Sequence, residues 1–171
     1  EGGYPPALPP LREAHLEAEI VYEFMRNGAR FPAYPCIVGA GANARVLHYV
    51  RNDGPLRDGD LVLIDAGCEY EYYAADLTRT FPVNGRFSAP QRDLYEVVLA
   101  AQLAAIDAAR PGTPFDRVHE TAVAHMVDGL VHLGVLAGSR EENLENGAYR
   151  RYCAHKSSHW LGLDVHDVGD Y

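Results

Sequence analysis

The chain is short of sulfur and of positive charge. Its 171 residues include three cysteines, two methionines and one tryptophan, and 15 lysines and arginines stand against 24 aspartates and glutamates, for a net charge of −9. A surface of that sign repels phosphate backbones, so nucleic acid is not an expected partner. Cys36, Cys68 and Cys153 are odd in number, far apart and without a C-x-x-C pair. That argues against a disulfide framework and a thiolate zinc site, and suits a reducing cytoplasm. No apolar run approaches the roughly eighteen residues of a membrane-spanning helix, so no membrane association is expected. No charged-then-apolar opening marks a signal peptide. The rest of the composition is ordinary, 47% hydrophobic and 23% charged, in one domain's length of chain with enough residues to bury a core. The chain opens on Glu1 rather than Met and stops at Tyr171, just after an alternating apolar stretch that reads as an unfinished strand. We therefore expect a piece of a longer protein.

Residues 1–10 (EGGYPPALPP) carry four prolines and two glycines and read as a linker or loose terminus, because proline blocks helix and sheet alike. From Arg12 to Asn27, Leu16, Ile20 and Phe24 recur every four residues on one helix face, and Asn27-Gly28 supplies the stop. β-type runs follow at Cys36–Val38, Val46–Val50, Leu61–Ile64 and Tyr73–Val83, separated by turns at 52–55 and 57–60. Ser88 and Gln91 form a capping box with Pro90 in the first turn, opening a helix that ends at Arg110-Pro111-Gly112. Thr113-Pro114 opens the next helix, which stops near Gly134. Residues 137–150 read as a polar loop with one helical turn, and the chain after Tyr152 as extended. This order, with a block of β between helices, points to an α+β fold.

Asp65 and Asp76 flank the segment AGCEYEYYAA. A hairpin with an even loop centred on Tyr70-Glu71 places 65 directly opposite 76, on one face of the sheet. Two facing carboxylates repel, and Asp is a poor strand former, so a divalent cation between them is the simplest compensation; carboxylate oxygen suits Mn, Mg, Zn or Co. The plainer account keeps each Asp as a solvated turn residue at a strand end, and spacing alone leaves both open. Thr78 and Thr80 share the face of Asp76.

Of eight histidines, His15, His119, His125 and His132 lie in expected helices and read as surface or satisfied core residues. His48, His155, His159 and His166 lie in or beside β-type runs. His155 and His159, four apart, share one face of an extended chain, and His166 joins them only if the chain bends at Gly162. Imidazole is a common metal ligand and a general acid or base near neutral pH; a buried, hydrogen-bonded histidine is the alternative for each. Residues 39–44 (GAGANA) fit the G-x-G-x-x-A dinucleotide fingerprint, but RVLHYV follows where a helix is required, and the nucleotide reading is rejected.

LVLIDAGCEYEYYAADLTRTFPVNGRF and SHWLGLDVHDVG, with IVGAGANARVLHY upstream, strongly resemble the aminopeptidase P and prolidase group (Xaa-Pro peptidases) of the pita-bread metallopeptidases. The resemblance runs from about Leu16 to Tyr171 and fits aminopeptidase P slightly better than prolidase. It implies a pita-bread (creatinase/aminopeptidase-like) fold with an incomplete second half, residues 11–171 being part of the catalytic domain. It implies two divalent metals, usually manganese with Zn or Co as substitutes, held in the family by two aspartates, one histidine and two glutamates. Asp65, Asp76 and His159 match the first three. His48, His155 and His166 match histidines of the substrate cleft that hold substrate, help stabilise the tetrahedral intermediate and assist proton transfer to the leaving proline nitrogen. The family's two glutamate ligands lie beyond the HDVG string and so beyond this chain. The resemblance therefore implies hydrolysis of X-Pro bonds in proline-containing peptides, little activity for the chain alone, and the remainder of the catalytic domain as a partner; the family also often forms homo-oligomers. A prolidase-type dipeptidase and a non-catalytic peptide-binding module are the alternatives.

Overall fold

The computed structural model describes residues 10–170, so the proline-rich stretch falls almost wholly outside the described residues. The chain forms two compact units, one running to Arg86 and including Leu161–Asp167, the other comprising Phe87–Trp160 and the residues from Val168.

The first unit opens with α1 (Glu13–Arg26). Its first turn is tied by His15, whose Nδ1 accepts the Arg12 N–H at 2.9 Å. It ends at Asn27 and Gly28 as expected, Gly28 taking the left-handed φ of +98° that glycine adopts without strain. Two small antiparallel sheets follow. One is ordered β1 (Phe31–Pro32), β4 (Cys68–Tyr70), β5 (Tyr73–Ala74); the other is ordered β2 (Ile37–Ala40), β3 (Leu61–Ala66), β6 (Leu77–Pro82). The core of this unit is Val38, Ala40 and Val62, with Leu16 and Ile20 of α1 against them. The α1 stripe thus faces the core, with Leu16 and Ile20 half-buried against it.

The strand expected over Val46–Val50 is absent. Asn43–Arg45 form a short 3-10 turn instead, and His48 takes a left-handed φ of +53°. The edge of β2 where such a strand would pair is occupied by a side chain: Asn52 Oδ1 accepts the Val38 N–H and Asn52 Nδ2 donates to the Cys36 carbonyl, both at 2.9 Å. An amide that imitates a strand satisfies the edge and leaves residues 46–50 free to turn. The expected Tyr73–Val83 strand is broken at Ala75-Asp76, between β5 and β6. After Tyr152 no strand forms among the described residues; a lone extended segment cannot satisfy its own backbone groups. His155 and His159 are therefore not neighbours on a strand face.

The second unit is helical: α2 (Ala89–Ala108), α3 (Phe115–His132) and α4 (Arg140–Asn146). The Ser88–Gln91 capping box opens α2 as expected. The polar loop expected over 137–150 contains a real helix, α4, whose Ser139 hydroxyl accepts the Glu142 N–H while the Glu142 carboxylate accepts the Ser139 N–H. The core is Val123, Val127, Leu130 and Leu136, with Leu144 and Tyr149 packed on it. α2 and α3 approach closely at Gly129, where a Cβ would lie 2.3 Å from a Val97 methyl.

Candidate functional site

Asp65 stands near the end of β3, and Asp76 sits in the break just before β6. The hairpin between them turns at Glu71 and Tyr72, with φ of +50° and +70°, the pattern of a tight two-residue turn. Glu69 pairs with Ala74 and Asp65 with Thr78. The expected register is therefore wrong by one step at the turn: Thr78, not Asp76, lies directly opposite Asp65. Moving the loop centre by one residue moves the pairing by two, which leaves every side chain on the face it was assigned. Asp65 and Asp76 remain on one face as diagonal neighbours. The position opposite Asp76 in this register is Gly67, where a Cβ would lie 1.7 Å from the Ala75 carbonyl oxygen. Only glycine admits that approach.

The two carboxylates meet at a residue that sequence reasoning missed. The Tyr34 hydroxyl lies 2.5 Å from Asp65 Oδ1 and 2.9 Å from Asp76 Oδ1. A phenol has one proton and serves one carboxylate at a time, so both oxygens converge on a single point. Burial, then the hydrogen bond to and charge of Asp65, then those of Asp76 push the Tyr34 pKa far up, and the hydroxyl stays protonated. The only sequence signal for Tyr34 was an aromatic in a proline-flanked loop, which by itself means little.

The predicted histidines are placed as follows. His48 is exposed on the left-handed turn after the 3-10 segment. His155 is exposed, with Nδ1 2.8 Å from the Lys156 carbonyl, and His159 is half-buried, with Nδ1 2.9 Å from the Trp160 carbonyl. A carbonyl only accepts, so in each ring Nδ1 is the donor, the arrangement in which second-shell carbonyls hold a metal-binding imidazole. His166 is exposed in the first unit. Among the described residues, no three His, Cys, Asp or Glu side chains gather closely enough to hold a metal; the aspartate pair is what the fold brings together.

A family model described as metallopeptidase family M24 matches residues 6–171. The chain belongs to metallopeptidase family M24. It is 54% identical over 159 residues to a Xaa-Pro aminopeptidase of Haemophilus influenzae, covering 93% of this chain and 37% of that protein. It is 53% identical to the Xaa-Pro aminopeptidase of Escherichia coli, covering 95% of this chain and 37% of that one. Among solved structures, aminopeptidase PepP of Pseudomonas aeruginosa superposes with a TM-score of 0.91 at 53% identity, covering 95% of this chain and 37% of that one. Zinc-substituted E. coli aminopeptidase P in complex with product superposes with the same TM-score, identity and coverage. The chain thus has the pita-bread fold of the M24 family and spans about 37% of the length of these relatives. The M24 metallopeptidases are a metal-dependent class, and the residues here fit a divalent cation: two carboxylates of like charge converge on one polar point, and hard oxygen donors suit such ions.

Proposed function

We propose that this chain forms part of the catalytic domain of an X-Pro aminopeptidase, a cytoplasmic enzyme that removes the N-terminal residue ahead of proline. The observation that carries the reading is the convergence of Asp65 and Asp76 on the Tyr34 hydroxyl. By resemblance, Asp65, Asp76 and His159 are the residues of this chain that would hold divalent metal, manganese in the family. When bound, the metal supplies Lewis acidity and a water of lowered pKa. The remaining work belongs to this chain's own side chains. Tyr34 keeps the two carboxylates together before metal arrives. By resemblance, His48, His155 and His166 line the substrate cleft, where they hold the substrate, help stabilise the tetrahedral intermediate and assist proton transfer to the leaving proline nitrogen. By resemblance the two glutamate ligands lie outside this chain, so the full-length protein is active and the 171-residue chain alone is not.

The test is release of the N-terminal residue from a short X-Pro tripeptide with added Mn2+, alongside the metal content of the dialysed protein. Full-length protein should turn over and retain metal. The Asp76→Ala variant should lose both, with turnover falling by more than about 100-fold, beyond what outer-shell partners alone command. Brisk turnover by the isolated chain would refute the division of ligands. Cleavage of dipeptides alone would favour the prolidase-type reading.

A further inference from the structure

One charged side chain of the first unit is completely buried and is not used by the reaction described above. Glu13, in the first turn of α1, has no exposed surface. Its carboxylate accepts four bonds from three separate stretches of chain. Oε1 takes the Ala40 N–H at 2.7 Å and Asn43 Nδ2 at 3.0 Å; Oε2 takes the Gly54 N–H at 2.7 Å and the Tyr49 hydroxyl at 2.9 Å. Burial raises the pKa of this carboxyl, but the bonds from Ala40, Asn43, Gly54 and Tyr49 outweigh it, and the net shift is downward. Glu13 is therefore an anion. The space around it is closed: a Cβ at Gly54 would lie 2.6 Å from Asn43 Nδ2 and 2.8 Å from Glu13 Oε1.

A buried anion is a costly way to hold a core together, and an apolar side chain of similar volume is often as good or better for stability alone. What four directed bonds add is geometry. The residues they fix, Asn43 and Tyr49, bracket the turn that carries His48. Tyr49 is next to His48 in sequence, and its hydroxyl also lies 3.0 Å from Asp53 Oδ1. His48 itself is a non-glycine residue at φ +53°, a conformation that persists only where its surroundings over-determine it.

We infer that Glu13 is the positioning residue for His48: its carboxylate, gripping Asn43, Tyr49 and Gly54, sets the left-handed turn that aims the imidazole. This rests on the reading of His48 as a substrate-cleft residue. Among the described residues, Glu13 is the buried charge of the first unit, and it is bonded to Asn43 before His48 and to Tyr49 and Gly54 after it.

The test uses full-length protein and two readouts. Amide hydrogen exchange reports the turn without reference to activity. Glu13→Gln, which places an N–H group against donors, should speed exchange across residues 41–54 while Val62–Ile64 of β3 stay protected. In the Mn2+-dependent assay the same variant should lower kcat/KM on the order of 10- to 100-fold, the scale of an ångström-sized misplacement. It should add little in a His48→Ala background, because both changes remove one function. Unchanged exchange over 41–54 overturns the inference, and so does an equal loss with and without His48. If the wild-type protein cleaves no X-Pro peptide with any divalent metal, the peptidase reading fails, and the exchange arm still decides whether Glu13 sets the turn. Should Glu13→Gln not fold, Tyr49→Phe removes a single bond of the set and must give the same pattern, faster exchange in the turn and non-additivity with His48→Ala, or the inference falls.

Discussion

Among the described residues, one of the two units buries a full charge and the other does not. The helical unit is held by an aliphatic cluster of Val123, Val127, Leu130 and Leu136 and buries one amide, Asn143, which donates to the Ala137 and Ser139 carbonyls. The strand-bearing unit packs Val38, Ala40 and Val62 and also buries a full charge, Glu13, and an amide, Asn52, that stands in for a strand. Both of its buried polar groups anchor the segment carrying His48, and the two carboxylates of the candidate metal site lie in the same unit. Apolar packing is non-directional and supplies stability; directed bonds cost desolvation and supply position. The unit that brings the aspartate pair together is the one that buries the charge.

That contrast can be broken experimentally. The largest effect on stability should come from the helical unit: Leu130→Ala, at a site 2% exposed, should cost about 2–5 kcal/mol in chemical denaturation. The same substitution should leave Mn2+ binding by folded full-length protein unchanged; a matching loss of metal affinity would erase the distinction between the units. Next come two glycines, one in each. Gly67→Ala drives a Cβ to within 1.7 Å of a backbone oxygen, whereas Gly129→Ala meets the Val97 side chain, its methyls at 2.3 and 2.5 Å and its Cβ at 2.9 Å, a clash relieved by a small shift of one helix against the other. Gly67→Ala should therefore cost about 3 kcal/mol or more and Gly129→Ala about 1–2 kcal/mol. Only the first should weaken Mn2+ binding, because it disturbs the break that delivers Asp76. Equal costs would mean that the strand break can relax.

The smallest effect is a pH dependence confined to the strand-bearing unit. Burial, with hydrogen bonds to Glu13 and Asp53, pushes the Tyr49 hydroxyl up to about 12, against about 10 in the unfolded chain. A raised folded pKa contributes stability that is complete below about pH 10 and is lost as the pH rises towards 12. Denaturation measured across that window should show falling stability, and Tyr49→Phe should make the fall shallower. An unaltered slope would place Tyr49 outside the Glu13 network.

Much of the fold was legible. The four-residue spacing of Leu16, Ile20 and Phe24, the Ser88–Gln91 box and the Thr113-Pro114 opening each mark a helix that forms, because capping and periodicity are local. The misreadings share a cause. Val46–Val50 has the composition of a strand but loses its pairing edge to Asn52, a competition between residues that composition cannot register. The hairpin was centred one residue early because its turn, Glu71-Tyr72, has positive φ without glycine or asparagine to mark it. The α4 helix was read as a single helical turn within a polar loop, although Ser139 and Glu142 spell its capping box, a signal that was available and passed over.

Residue order alone determined the family, the helices and the shared face of Asp65 and Asp76, since side-chain alternation survives a two-residue shift in pairing. Tertiary structure decided what meets what: that Tyr34 closes on both aspartates and that Glu13 gathers Asn43, Tyr49 and Gly54. These contacts join residues 30 to 42 positions apart. No local pattern encodes them, because they exist only after the sheet and the first helix have packed.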